Sequence, residues 1–349
     1  MRLDLPWLFL MAAGFGAGAG QLHGAVNPVG AETVFHADYE DGLMRSPGAG
    51  GGGRSVAVHF LEGVDYQAPP RGRVEPAPAM PPGRTGRQAA HFILCPGDPQ
   101  LHQGHRAELR LNEGETVGDT MWYAFSIFMP ADAPLFVPVP GCNVRDESGV
   151  IFAQWHHADT ENARGLSPVI AVEVHQEEQG GAIGAPHWQI VMREFAELGR
   201  ALSISDRFGP PRQQGGRSYY SRSRPRGNEP VLPVRLGEWT DFVLQVRWSV
   251  DGAGGKAGFV RCWIFDAAQT GGTLFEETDF QTYPADIARG PYMKWGIYKY
   301  HWKAPPWSRD YPYGHRAECR TEQSVFIDEV TCCRDNADQL TWRAMRPRR

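Results

Sequence analysis

Hydrophobic and polar residues alternate in many short segments of the chain, and this pattern predicts β-strands. From residue 88 onward, these segments are rich in aromatic and β-branched side chains and repeat with a period of two. The segments are QAAHFILC, HRAELRLN, MWYAFSIFMP, GVIFAQWHH, PVIAVEVHQ, HWQIVMREF, WTDFVLQVRWSV, GFVRCWIFDA, YMKWGIYKYHW and SVFIDEVTCC. So many strands at this spacing predict an all-β fold, an antiparallel β-sandwich of the jelly-roll, concanavalin-like type.

The N-terminal part is less regular. ETVFHADYEDGL and SVAVHFLEG predict two more strands, with a Gly-rich turn between them. Residues 66–88 are rich in Pro, Arg and Gly and predict an irregular surface loop. Because no internal repeat or dividing linker is present, we expect a single domain over residues 26–349.

The first residues have the features of a secretory signal. Arg2 precedes the apolar run from Leu5 to Ala19, which ends in small residues suited to cleavage. A membrane-spanning helix needs about 20 apolar residues, so the run is too short to span. We expect residues 1–25 to be removed and the protein to be secreted or periplasmic, without a membrane span.

Composition narrows the classes of partner. The 41 Gly and 28 Pro favour many turns over long helices, and 42% hydrophobic residues support a sizeable core. A net charge of −5 excludes a globally basic nucleic-acid-binding protein. An anionic ligand would therefore need a local basic surface. We expect a monomer.

The six cysteines of an exported chain allow disulfides. Their spacing favours one link between Cys319 and either Cys332 or Cys333. Free buried thiols are the alternative for several of them.

Residues 206–229 carry a local excess of arginine, six against Asp206 and Glu229, together with two tyrosines. The segment predicts a basic loop over a groove that holds an anionic polymer, because arginine pairs bidentately with carboxylate or sulfate. The candidate contacts are Arg217, Arg222 and Arg224. An ordinary solvated loop is the alternative.

Three segments place polar side chains on one face of a predicted sheet. In HRAELR, alternation puts Arg106, Glu108 and Arg110 on the same face. In QWHH, Gln154 and His156 share a face, and His157 points to the other unless a bulge intervenes. The third segment is KWGIYKY, in which Lys294, Gly296, Tyr298 and Tyr300 share a face.

The ordered set of RAEL, MWYAFSIFMP, QWH with SPVIAVEV, GEWTDFVLQVRWS, KWGIY and VFIDEV resembles the heparin-lyase and glucuronan-lyase type of polysaccharide lyase. The resemblance spans roughly residues 88–333. It implies a jelly roll with an open groove that cleaves acidic polysaccharides by β-elimination. It also implies His156 as the base, Tyr298 as the acid and Lys294 and Arg106 as the cations, with Gln154 as a substrate contact. His157 and Tyr300 are further candidate contacts, and His157 is also the competing candidate for the base.

The reaction itself requires such a set. Removing the C5 proton of a uronate needs a neutralised carboxylate, a base such as neutral histidine and an acid for the departing O4. A nearby cation is expected to lower the pKa of the tyrosine. A glucuronan-type polymer is the favoured substrate; heparin-like and alginate-like chains remain open.

Two other classes of protein are considered. A glycoside hydrolase would need paired carboxylates, for which Glu173 and Glu177 are the best candidates. A zinc site is not indicated, because the spacing of the candidate histidines is not that of a metal signature: His156, His157, His175 and His187. A non-catalytic sugar-binding module would use exposed tryptophans instead.

A structural calcium ion held by Asp38, Glu40 and Asp328 is also a candidate, since carboxylate oxygens suit Ca²⁺.

Overall fold

A computed structural model describes much of the chain after the predicted signal. The described residues are 32–40, 56–59, 72–78, 86–94, 104–111, 114–132, 150–156, 168–175, 178–179, 182–183, 185–194, 212–214, 217–224, 231–251, 257–266, 271–283, 290–300, 323–335 and 340–347. The predicted signal at residues 1–25 lies outside them. No helix in these ranges is long and apolar enough to cross a membrane.

These residues form strands and one short helix. The strands are β1 (Glu32–Ala37), β2 (Val56–His59), β3 (Gly72–Pro76), β4 (Gln88–Leu94), β5 (Gly104–Leu111), β6 (Thr120–Phe128), β7 (Val150–His156), β8 (Ile170–His175), β9 (Glu178–Gln179), β10 (Ala182–Ile183), β11 (His187–Glu194), β12 (Arg212–Gln214), β13 (Arg217–Arg224), β14 (Trp239–Arg247), β15 (Gly258–Phe265), β16 (Thr273–Phe280), β17 (Tyr292–Tyr300) and β18 (Gln323–Arg334). The helix is α1 (Trp342–Met345).

Two antiparallel eight-stranded sheets make up the fold. The front sheet has the order β12-β13-β11-β8-β7-β17-β5-β2. The back sheet has the order β16-β15-β14-β6-β18-β4-β3, and β1 also pairs with β18. A separate hairpin joins β9 and β10. The predicted all-β jelly-roll architecture is confirmed.

The core lies between the two sheets and fixes which side chains face outward. Trp188 of the front sheet packs against Phe242 of the back sheet at 4.7 Å between ring centroids, and Tyr123 packs against Trp155 at 4.8 Å. Burying an aromatic side chain of this kind contributes about 1.5–3 kcal/mol. Successive residues of a strand face opposite sides of the sheet. Because the apolar residues of β5, β7 and β17 face the core, the polar residues between them face outward.

The C-terminal segment covers part of the back sheet's outer face. The Asp335 carboxylate accepts hydrogen bonds from the indole N–H of Trp122 (3.2 Å) and from the backbone N–H of Leu340 (2.8 Å). The Thr341 hydroxyl caps α1 by accepting from the N–H of Ala344. These contacts hold α1 against the sheet, where Met345 is buried.

Two predictions about loops are wrong. Residues 72–76, inside the predicted loop 66–88, form β3, which pairs with β4. The Arg-rich segment contains β12 and β13, which form a hairpin, and β13 pairs with β11 at the edge of the front sheet. Backbone pairing overrides the loop-like composition in both places.

The cysteines also differ from the prediction. Cys262, Cys332 and Cys333 are buried and take no part in a disulfide, so neither candidate partner of Cys319 is cross-linked. Since neighbouring strand residues point in opposite directions, the two side chains differ in surroundings: the Cys332 thiol lies 3.9 Å from the Met293 sulfur, and the Cys333 thiol lies 3.6 Å from the Thr33 hydroxyl. Cys319 lies outside the described residues.

Candidate active site

The outer face of the front sheet brings the predicted polar residues of β5 and β17 together. Ala107 and Leu109 belong to the core, which turns Arg106, Glu108 and Arg110 outward. The register of the two strands pairs Tyr298 with Arg106, Gly296 with Glu108 and Lys294 with Arg110. The alternation predicted for these segments is confirmed.

A hydrogen bond crosses β17 at a glycine. The side-chain amide of Gln154 on β7 donates to the Glu108 carboxylate on β5, at 2.5 Å. Gly296 lies between them with φ of +143°, and an added Cβ would come within 2.2 Å of the Ala107 carbonyl oxygen. Glycine is therefore needed here both for backbone conformation and for close approach of the strands.

Tyr298 lies against Arg106. The Arg106 guanidinium carbon is 4.2 Å from the centre of the Tyr298 ring, and the tyrosine also packs on the apolar patch of Ile151, Ala171 and Val191. Burial raises the pKa of Tyr298, although Arg106 acts to lower it. The predicted lowering of the pKa is wrong, because desolvation outweighs the cation. The phenol therefore remains protonated at neutral pH.

His156 lies against a second tyrosine, which the sequence analysis did not single out. The rings of His156 and Tyr292 are 6.2 Å apart, and their backbones are paired. Lys294 and Arg110 flank the same ring, at 5.5 and 5.7 Å from its centre. Tyr292 could have been found by extending the Lys294–Tyr298 alternation one step toward the N-terminus.

His156 and Tyr298 are not in direct proximity along the sheet. Tyr298 pairs with Ile151, five positions from His156 on β7, which is on the order of 16 Å in an extended strand. Gln154 and Gly296 lie between them. The two side chains thus lie on either side of the Gln154–Glu108 hydrogen bond that crosses β17 at Gly296.

The outer face carries buried charge. Arg106, Glu108 and Lys294 are each no more than 5% exposed. Glu108 Oε2 and Arg110 Nε have no hydrogen-bond partner within the described residues, although the Arg106 guanidinium lies 3.6 Å from that carboxylate oxygen. Buried polar atoms are normally hydrogen-bonded, so a cationic N–H without a partner suits an anionic ligand.

Several predicted contacts lie at or beyond the limit of the described residues. His157 lies outside them, and for Tyr300 the structure describes the backbone pairing with Gly104. In the hairpin, the register pairs Arg222 with Met192 and Arg224 with Ile190, both core residues. Contact of Arg222 and Arg224 with a ligand stays a prediction. Arg217 is at the hairpin end, paired with Gln214.

The predicted calcium ligands are engaged elsewhere. Glu40 accepts hydrogen bonds from the backbone N–H groups of residues 87 and 88, Asp328 accepts one from Glu329, and Asp38 lies 3.8 Å from His36. No group of three or more metal-binding side chains is present in the described part of the chain. Calcium binding by Asp38, Glu40 and Asp328 stays a prediction.

Glu173 is a buried carboxyl on the same outer face. It lies on β8, paired with Gln189 of β11, and is 4% exposed. Burial raises its pKa to about 7, against a smaller opposing effect of Arg193. Glu177, the other carboxylate of the hydrolase alternative, lies outside the described residues.

We expect Glu173→Gln to stabilise the protein above pH 7. The unfolded carboxyl loses its proton near 4.5, whereas the folded one holds it to about 7, so stability falls as pH rises through this window. The shift corresponds to on the order of 3 kcal/mol. Thermal melts at pH 5 and pH 8 should show this loss in the wild type and a smaller one in the variant. An equal loss in both proteins would contradict the assignment.

Comparisons with known proteins agree with this fold. A sequence profile described as polysaccharide lyase matches residues 78–331. No curated protein matches the sequence. The fold is similar to an endo-β-1,4-glucuronan lyase from the fungus Trichoderma reesei, with a TM-score of 0.51 and 18% identity over 84% of this chain and 98% of that one. An exolytic alginate lyase from Zobellia galactanivorans gives a TM-score of 0.47 and 12% identity over 78% of this chain and 91% of that one.

Proposed function

The chain belongs to the polysaccharide lyase family, and we propose that it cleaves a glucuronan-type polymer by β-elimination on the outer face of the front sheet. The observation that carries this proposal is the buried row of Arg106, Gln154 and Lys294 beside a protonated Tyr298. A carboxylate is the ligand that such a row would neutralise.

Charge stabilisation is the first task of the site. Loss of the C5 proton puts negative charge on the uronate carboxylate, and fixed cations and amide donors stabilise that state. We assign this role to Arg106, Gln154 and Lys294. Glu108 holds the Gln154 amide in place and lies beside Arg106, so it positions both groups.

His156 is the proposed base and Tyr298 the proposed acid. The C5 hydrogen and O4 belong to one sugar, so both side chains must extend over Gly296 from backbone positions on the order of 16 Å apart to reach it. The neutral imidazole takes the C5 proton, the C5–H electrons form the C4–C5 double bond, and the C4–O4 bond breaks. The Tyr298 hydroxyl donates its proton to O4. The products are a 4,5-unsaturated uronate and a fragment with a free hydroxyl. Solvent then returns a proton to Tyr298 and removes one from His156.

The environment of Tyr298 suits an acid. Its raised pKa keeps the phenol protonated until O4 departs. Arg106, which packs on its ring and acts to lower the pKa, stabilises the phenolate that forms. The same features would make Tyr298 a poor base, which supports the proposal of His156 as the base.

The preference for glucuronan is supported by the overall likeness to a protein described as a glucuronan lyase. The N-terminal segment supports export of the protein, since extracellular polymers are reached only after secretion.

A panel of uronic-acid polymers tests the proposal. We expect ultraviolet absorbance of the unsaturated product to increase fastest with glucuronan, and more slowly or not at all with alginate and heparin-like chains. Boiled enzyme is the control for spontaneous elimination. Fastest product formation from alginate would contradict the glucuronan preference, and no product from any polymer would contradict the lyase reaction.

A further inference from the structure

An open depression of about 1000 Å³ lies on the outer face of the back sheet. The floor is made by β6, β14, β15 and β16, and residues 340–343 form one wall. The active-site residues Arg106, Gln154 and Tyr298 all belong to the front sheet. The depression is therefore a separate surface, with the core of the sandwich between it and the active site.

Aromatic side chains line this depression. Trp122 and Trp263 are stacked, with ring centroids 5.6 Å apart and planes 11° from parallel. Trp263, Trp342 and Phe259 are partly exposed, and Leu274 is 47% exposed. Indole faces offer a flat apolar surface with a polar edge, which suits contact with a sugar ring.

Positive charge surrounds the aromatic surface. Arg247, Arg261 and Arg343 line the depression, against the single carboxylate of Glu276. Arg261 is bound to that carboxylate at 2.5 Å, which also neutralises it. Arg343 lies 4.8 Å from the centre of the Trp342 ring. The depression thus has a net positive charge in a protein whose overall charge is −5.

We propose that this depression is a second, non-catalytic binding site for the same class of anionic polysaccharide. The inference rests on the proposed function, which supplies the occupant. Sugar rings would stack on the partly exposed Trp263, and carboxylates would pair with Arg247 and Arg343. A chain held here would keep the enzyme on its polymer between cleavage events and raise the local substrate concentration.

The arrangement favours a polysaccharide over a nucleic acid. Three arginines around one open depression provide few charges, whereas nucleic-acid binding depends on neutralising many phosphates along an extended basic surface. The acidic overall charge of the protein opposes such binding as well.

The test removes two arginines in a catalytically inactive background. Arg247→Gln with Arg343→Gln is introduced into His156→Ala/Tyr298→Phe, and the dissociation constant is measured by native electrophoresis through gels containing glucuronan. We expect it to rise about tenfold, with a smaller effect at high salt because surface charges are screened. The matched control is Arg73→Gln with Arg87→Gln, which removes the same charge at the far edge of the back sheet.

Turnover separates this proposal from the proposed function. When His156 and Tyr298 are left unchanged, the Arg247→Gln/Arg343→Gln variant should cleave short glucuronate oligomers at the wild-type rate. It should cleave the polymer more slowly than the wild type does. Unchanged affinity for polymer, or an equal loss in the Arg73/Arg87 control, would overturn the second site and leave the lyase reaction intact. If the wild type cleaves no polymer but the Arg247/Arg343 variant still binds glucuronan more weakly, the proposed lyase reaction is contradicted and the second binding site is supported. Tighter retention by single-stranded DNA than by glucuronan would also overturn it.

Discussion

Tyr298→Phe is expected to lower kcat by about 10²–10⁴-fold, the range over which a positioned general acid or base contributes. Phenylalanine preserves the ring that packs on Arg106 and on Ile151, and removes only the hydroxyl that would protonate O4. Stability and polymer affinity should therefore change little. Initial rates of unsaturated product formation at saturating glucuronan measure the effect.

Tyr292→Phe is the matched control for this variant. Tyr292 lies on the same strand and the same sheet face, beside His156 rather than beside Arg106. We expect it to retain most of the wild-type kcat. If Tyr292→Phe abolishes turnover and Tyr298→Phe does not, the acid is Tyr292, and the reaction is centred on the His156 end of the site.

His156→Ala is expected to lower kcat by a similar factor, about 10²–10⁴-fold, because it removes the proposed base. Polymer binding should be largely retained, since Arg106, Gln154 and Lys294 remain in place to hold the carboxylate. The KM would then change much less than kcat, which separates loss of chemistry from loss of binding.

His175→Ala provides the comparison for the histidine variant. His175 belongs to the front sheet but lies on β8, with its ring 5.9 Å from that of His187. It should retain turnover, and added imidazole should restore part of the activity of His156→Ala only. Wild-type turnover in His156→Ala would require a different base, for which His157 is the next candidate.

The alternation of residues along the chain was sufficient to predict the sheet faces. Arg106, Glu108 and Arg110 lie outward as predicted, since Ala107 and Leu109 are held in the core. The strands β5, β7 and β17 follow the predicted segments closely because each combines an apolar row that faces the core with a polar row that faces outward. Period-two patterning is a strong signal where one face is buried.

The pairing of strands that are distant in the sequence could not be predicted from the alternation of residues. The Gln154–Glu108 hydrogen bond across Gly296 depends on β5 and β7 both flanking β17. The sequence contains no local signal for this order. The pKa of Tyr298 likewise depends on how deeply the neighbouring strands bury it, so a nearby arginine alone gave the wrong direction.

Composition was misleading where polar segments form strands. β13 is rich in arginine and serine, and its strand conformation comes from pairing with β11 rather than from an apolar face. β16 alternates only weakly and was not predicted. The depression on the back sheet depends on β16 and on the C-terminal residues 340–343, so it could not have been predicted from local patterns.

The most direct test of the central claim is the identity of the product that the purified protein releases from glucuronan. Elimination predicts an ultraviolet-absorbing 4,5-unsaturated uronate at the new non-reducing end, one water lighter by mass spectrometry than the hydrolysis product. Its formation should fall sharply in His156→Ala and Tyr298→Phe. Saturated fragments that have gained a water, or unsaturated product formed equally by both variants, would contradict β-elimination at this site.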